Sequence, residues 1–273
     1  MSVFRTRFAP SPTYFLHLGH ALSAFHVWRA AEAEGGEVLL RIEDIDTTRC
    51  RPEYTDAIFE DLHWLGFDWP EPVRIQSEHF GAYQTCVDRL HNMSLAYRCF
   101  RTRAELTALD DPLRPGPLPD DEQARLIEQG AAFAWRLSLK RAREYLGSTY
   151  DALTFQEMIA GGQVTRDADP DQHGDIVIAR KDSPSAYHIA ATHDDALQGM
   201  THIVRGEDLI DAPHVQTLLQ VLLDWPQPIY QHHPLLLDDD GSKLSKRQES
   251  ISLASLRADG MTADQVRARL GFA

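Results

Sequence analysis

The 273-residue chain is 43% hydrophobic and carries a formal net charge of −14, which allows one large or two modest domains around an ordinary packed core. No apolar run approaches the roughly 20 residues of a membrane-spanning helix, and the N-terminus lacks the basic-then-apolar layout of a signal peptide, so a cytoplasmic protein without a membrane partner is expected. The acidic balance argues against a surface that binds nucleic acid throughout. Three cysteines without C-x-x-C spacing, Cys50, Cys86 and Cys99, read as reduced thiols.

In chain order, Val3, Phe4 and Phe8 suggest a short buried strand. Pro10 and Pro12 fix an extended turn, because proline locks φ and keeps its predecessor out of the helical region. A helical pattern then runs from about Gly19 through Leu22, Phe25 and Trp28 to a stop at Gly35–Gly36. Its unpaired N–H groups and positive dipole end suit a phosphate. His17 and His20 stand at its start, three residues apart; alone, they read equally as polar residues of a helix terminus or a chance metal pair. The nearly continuous apolar run in Glu37–Ile42 predicts a buried parallel strand, followed by the charged cluster Arg41, Glu43, Asp44 and Asp46. Carboxylates there lie where open α/β sheets bind ligands, although a salt bridge from Glu43 to a neighbouring arginine is the plainer alternative.

Pro52 opens a further helix that Gly66 ends, residues 73–75 read as a strand, and Tyr83, Val87 and Leu90 mark another helix. Two β–α units before residue 95 are the pattern of a doubly wound nucleotide-binding half. Composition changes near Tyr97: residues 110–121 read as a Pro/Asp-rich loop, 132–139 as a strand, and 154–162 as a polar segment with a turn. Two basic patches, Arg98/Arg101/Arg103 and Arg136/Lys140/Arg141/Arg143, are weak candidates for RNA contact, since a charge run is usually a solvated face. Ile176–Ile178 and Ile203–Val204 read as strands, the latter delivering Arg205 to its end. Residues 213–223 read as a helix and Pro234–Leu237 as the last strand.

Two distant segments combine. The string Arg7-Phe8-Ala9-Pro10-Ser11-Pro12 through His17-Leu18-Gly19-His20, and Lys243-Leu244-Ser245-Lys246-Arg247 after an Asp238–Gly241 lead-in, resemble the H-I-G-H and K-M-S-K-S signatures of class I aminoacyl-tRNA synthetases. Leu39–Asp44 resembles the glutamyl branch. The resemblance implies an α/β fold: a doubly wound parallel sheet of the Rossmann type, an inserted α+β subdomain and a short helical C-terminal segment. The expected boundaries are 1–98 and 173–237 for the two catalytic halves, 99–172 for the insertion, and 238–273 for the lysine loop and tail.

The resemblance also implies an ATP-dependent ligase. His17, His20 and Lys246 would be catalytic, and Gly19, Lys243, Ser245 and Lys246 would bind ATP with Mg2+. Arg7, Ala9, Ser11, Glu43, Tyr187 and Arg205 would bind L-glutamate, Arg205 facing its side-chain carboxylate. The short glutamyl paralogues usually hold zinc from a C-x-C pair, but here Cys99-Phe100-Arg101 keeps one thiol, too few for a structural site of about four ligands; no zinc is expected. Ala191 stands where full-length enzymes commonly carry asparagine, and Tyr14 where the family has glycine. Only 26 residues follow Arg247, so the chain resembles the glutamyl-queuosine tRNA(Asp) synthetase family. That implies transfer of glutamate to queuosine in the tRNA(Asp) anticodon loop; a monomer is expected. A truncated synthetase charging a tRNA 3′ end and a non-catalytic binding module remain as alternatives.

Overall fold

A computed structural model describes residues 3–237 and 251–272. The first half alternates β1 (Arg5–Phe8), α1 (Leu18–Ala33), β2 (Glu37–Ile42), α2 (Pro52–Trp64), β3 (Arg74–Ile75), α3 (Phe80–Asn92) and β4 (Ala96–Cys99). Next come α4 (Arg103–Thr107), α5 (Asp120–Glu128), β5 (Ala134–Leu137), α6 (Leu139–Leu146), α7 (Ser148–Asp151), β6 (Thr154–Ile159) and β7 (Gly162–Asp167). The remainder comprises β8 (Ile176–Ala179), α8 (Tyr187–Leu197), β9 (His202–Gly206), α9 (Ala212–Leu223), β10 (Ile229–His233), α10 (Leu253–Ala258) and α11 (Ala263–Arg269).

The local signals explain several boundaries. Pro52 occupies the first turn of α2, where its missing N–H goes unneeded, and Gly35 takes the left-handed conformation (φ 59°) that turns the chain after α1. β1, β2 and β3 form one parallel sheet, with Phe8 level with Leu40. A second has the order β7-β6-β10-β9. β9 lies beside β1: Thr201 donates its N–H to the Arg5 carbonyl (3.0 Å) and accepts the Arg5 N–H on Oγ1 (2.8 Å). The doubly wound α/β class is therefore present, with α1 packed on β1 and β9.

Strand partners differ from the sequence reading in three places. The polar segment 154–162 is β6 with the turn of a hairpin, and β6 pairs parallel with β10 although it lies within the expected insertion. β8, expected in the main sheet, instead pairs antiparallel with β5, which also pairs with β4. Strand membership thus crosses the expected boundary near residue 172. Among the described residues the last named strand is Ile229–His233 rather than 234–237; Pro234 has no N–H to continue a ladder.

Two adjacent acids on α8 tie the layers together. Asp194 is fully buried and accepts from Tyr83 Oη (2.7 Å) and Gln76 Nε2 (3.0 Å), with Arg74 Nε 2.8 Å away. Burial opposes its charge, yet His193, Arg74, Arg41 and Tyr83 hold its carboxyl far below the usual range. Asp195 turns toward the cleft described next.

Candidate active site

The loops after β1, β2 and β9 and the N-terminus of α8 surround one cleft. Arg7, Ala9, His17, Gly19, His20, Glu43, Tyr187 and Arg205 all line it, so eight of the expected site residues converge. Ser11 does not: it is exposed, and its hydroxyl lies beside Cys50 Sγ (3.8 Å). Lys243, Ser245 and Lys246 lie outside the described residues. Leu235 and Leu236 line the cleft and Ser252 bridges to His17, so both flanks of that segment reach the site.

His17 is the N-cap of α1 rather than part of its first turn, and its Nδ1 accepts the Gly19 N–H (3.0 Å). His20 Nδ1 accepts the His17 N–H (3.1 Å), while the His20 and Ala21 N–H groups donate to the His17 carbonyl. This reciprocal cap satisfies N–H groups that the sequence reading took as unpaired. A phosphate contact from either imidazole would use Nε2. Gly19 has an internal role as well, because a Cβ there would lie 2.9 Å from His17 Cε1. Tyr14 is 71% exposed and packs on the Tyr54 ring (6.1 Å). Its backbone is not among the positive-φ positions, so tyrosine fits this turn without the conformation glycine would allow.

One wall of the cleft is a chain of charges. Arg7 Nε donates to Asp195 Oδ1 (2.9 Å), the same oxygen accepts from Arg41 Nη1 (2.8 Å), and Arg41 Nη2 donates to Glu43 Oε1 (2.9 Å). Arg41 also reaches Gln198 Oε1 (3.1 Å). Glu43 is therefore both a cleft residue and an ion-pair partner of its neighbouring arginine. Burial pushes the Glu43 carboxyl up against the pull of Arg41 and Arg7. Burial also opposes the Asp195 charge, but two arginines hold that carboxyl below its ordinary value. Arg41 and Asp195 do not themselves line the cleft but stand behind Arg7 and Glu43, a linkage that sequence reasoning did not anticipate.

The other wall holds Arg205, 4% exposed, at the end of β9. Its partners are neutral: Nη1 donates to Gln216 Oε1 (3.1 Å), Nε to His232 Nε2 (3.2 Å), and the guanidinium stacks over Tyr230 (5.1 Å). Nη2 is buried and has no hydrogen-bond partner among the described residues. Tyr187 opens α8, and burial raises its hydroxyl above the usual range, so it stays protonated. Ala191 is buried within α8 and does not line the cleft.

Away from the cleft, the expected basic patches are largely tied inward. Arg98 stacks on Phe133 and Trp135, Arg136 donates to the Asp175 carbonyl, Arg141 to the Ser94 carbonyl, and Arg143 pairs with Asp151 and Asp171. Arg101 Nη1 donates to the Gly116 carbonyl (2.7 Å), holding the Pro/Asp-rich loop beside buried Cys99. Among the described residues, no three His, Cys, Asp or Glu side chains are grouped to hold a metal, and no helix is long and apolar enough to cross a membrane.

Residues 3–270 match the family described as tRNA synthetases class I (E and Q), catalytic domain. The chain belongs to this family. It is 36% identical to a Glutamyl-Q tRNA(Asp) synthetase of Rhodobacter capsulatus, over 98% of this chain and 99% of that relative. It is 37% identical to a Glutamate–tRNA ligase of Aquifex aeolicus over 95% of this chain, but spans only 55% of that relative. A crystal structure of a glutamate tRNA ligase from Elizabethkingia meningosepticum in complex with its amino acid is similar at TM-score 0.71 and 26% identity, covering 95% of this chain and 54% of that one. The methionyl-tRNA synthetase of Mycobacterium tuberculosis shares the fold, at TM-score 0.60 and 15% identity. The chain is thus a class I synthetase-type ligase on a Rossmann-type catalytic fold.

Proposed function

We propose that the chain activates L-glutamate with MgATP to glutamyl-adenylate and pyrophosphate, without needing tRNA, and transfers the glutamyl group to queuosine in the anticodon loop of tRNA(Asp), breaking the acyl–phosphate bond and releasing AMP. The observation that carries the first step is Arg205: a buried guanidinium with neutral partners and an unpaired Nη2, in the same cleft as Glu43. A γ-carboxylate completes the Arg205 fork, with Arg7 supporting from the opposite wall, while Glu43 accepts the α-ammonium and Tyr187 packs alongside. The α-carboxylate then attacks the α-phosphorus of ATP, forming the acyl–phosphate bond as the bond to pyrophosphate breaks. No residue becomes covalently bonded, so catalysis is positioning and fixed positive charge. His17 and His20, with the dipole of α1, face the phosphates, and Lys243, Ser245 and Lys246 serve the leaving pyrophosphate. Gly19 lies on the adenine side.

Queuosine as acceptor is supported by the end-to-end match to the Rhodobacter capsulatus relative. The comparable identity to the Aquifex aeolicus ligase favours a second reading, charging of a tRNA 3′ end. Transfer of labelled glutamate to tRNA(Asp) with and without queuosine, beside tRNA(Glu), separates them. Label confined to queuosine-containing tRNA(Asp) is expected; label on the 3′ end of tRNA(Glu) overturns the acceptor, and absence of glutamate-dependent pyrophosphate exchange overturns the activation step. We further propose that the enzyme works as a cytoplasmic monomer and without zinc. Arg101 supports the latter, a cation donating to a carbonyl where a second thiolate would stand; a stoichiometric zinc by elemental analysis would refute it.

A further inference from the structure

We propose that His232 and Glu157 are positioning residues that lock Arg205 and thereby make the cleft select a side-chain carboxylate over an amide. The inference rests on the glutamate reading above and names the device behind it. Arg205 and His232 are level in the β9–β10 ladder, and Glu157 is level with Tyr230 in the β10–β6 ladder. Tyr230 and His232 are two apart on β10 and share a face of the sheet, so Arg205 lies directly beside His232 and Glu157 reaches it diagonally on the same face. A guanidinium has only donors, so His232 Nε2 must be the acceptor at 3.2 Å. The ring proton then sits on Nδ1 and points at Glu157 Oε1, 2.9 Å away. The other Glu157 oxygen, Oε2, accepts from Arg166 Nε (2.8 Å).

This arrangement separates two needs that a direct ion pair would merge. A carboxylate touching Arg205 would compensate its charge but would occupy the fork that the substrate must use. Glu157 supplies the negative charge one imidazole away, and the fork edge at Nη2 stays available. His232 Nε2 and Gln216 Oε1 fix the guanidinium on two edges, and the Tyr230 ring covers its face. Without the Glu157 charge, the imidazole is free to carry its proton on Nε2, where donor meets donor and Arg205 loses its orientation. A carboxylate needs the oriented fork; an amide, which brings its own donors, gains less from it. Glu157 comes from β6, within the stretch read from sequence as an insertion.

Pyrophosphate exchange by the full chain tests this. Glu157→Gln is expected to raise the KM for glutamate about tenfold, with kcat and the KM for ATP within about twofold and glutamate-over-glutamine discrimination reduced. Glu157→Asp should restore most of the loss. His232→Phe, which removes the acceptor, should show the same split should Glu157→Gln fail to fold. Arg166→Ala removes the other partner of the same carboxylate and should leave the KM for glutamate within about twofold. An unchanged KM for glutamate in Glu157→Gln, or an equal rise in Arg166→Ala, overturns the relay while wild-type exchange leaves the glutamate reading standing. Absence of glutamate-dependent exchange in the wild type overturns both.

Discussion

The two walls of the cleft hold their arginines in opposite ways. On one wall Arg7 and Arg41 share Asp195, and Arg41 continues to Glu43, so two buried cations meet two anions at 2.8–2.9 Å. On the other, Arg205 meets an amide, a neutral imidazole and an aromatic face. A saturated cluster is already neutral and its geometry is fixed by its own pairing. A cation held by neutral groups keeps its attraction for an incoming anion, at a desolvation cost carried by the fold. The first wall is thus locked by its own pairing even where Arg7 and Glu43 reach the cleft, while on the second the Arg205 charge is left for an incoming anion.

Removing one partner from each wall should separate stability from binding. Asp195→Ala leaves buried Arg7 without an ion-pair partner among the described residues and Arg41 with Glu43 as its remaining anion, and is expected to lower stability by about 3–5 kcal/mol, read by chemical denaturation. A loss below about 1 kcal/mol would mean that the cluster is solvated rather than locked. Arg205→Ala should do the reverse. It is expected to abolish measurable glutamate activation, a loss on the order of 100-fold or more from one charge-assisted fork, while stability changes little, because no buried anion is left unpaired. Near-normal activation in that variant would remove Arg205 from the pocket; a large loss of stability would place it with the first wall.

Legibility in the sequence follows the distance over which each interaction acts. The order strand, Pro-rich turn, histidines and helix, the start of α2 at Pro52 and the turn after α1 are written in neighbouring residues and were readable. Asp195 was not, because its partners Arg7 and Arg41 lie 188 and 154 residues away. One signal was available: Asp194–Asp195 continues the apolar run Ile189–Ala191 of α8, and a helix that buries carboxylates must supply them with partners. The last strand was misplaced for a related reason. Leu235–Leu237 looks more strand-like than Tyr230–His233, yet His232 meets Arg205, His233 lines the cleft, and Pro234 ends the ladder. Likewise β6 announces its hairpin locally, but its parallel partner lies some 75 residues on, the span of the His232–Glu157 contact.

Asp61 sharpens the comparison from outside the cleft, because it belongs to neither arrangement. It is fully buried on α2, and neither carboxyl oxygen has a hydrogen bond among the described residues. Its nearest cation is Arg257 Nη1 of α10 at 3.5 Å, and Arg257 donates instead to Glu60 (2.9 Å). Burial pushes the carboxyl up to about 6 from an ordinary 3.8. Between those values the folded chain holds a proton that the unfolded chain has released, so stability falls as pH rises through this window. Above about pH 6 both states are ionised and the full penalty is present. Asp61→Asn is therefore expected to stabilise the protein at pH 7–8, by about 1–2 kcal/mol, with the gain shrinking below pH 6 and vanishing near pH 4. Melting curves across that range decide it. A loss of stability that grows toward high pH would instead make Asp61–Arg257 a working ion pair that docks α10 on α2. Buried charge would then be matched here as it is beside Arg7, and Arg205 would stand apart among the buried arginines of the described residues.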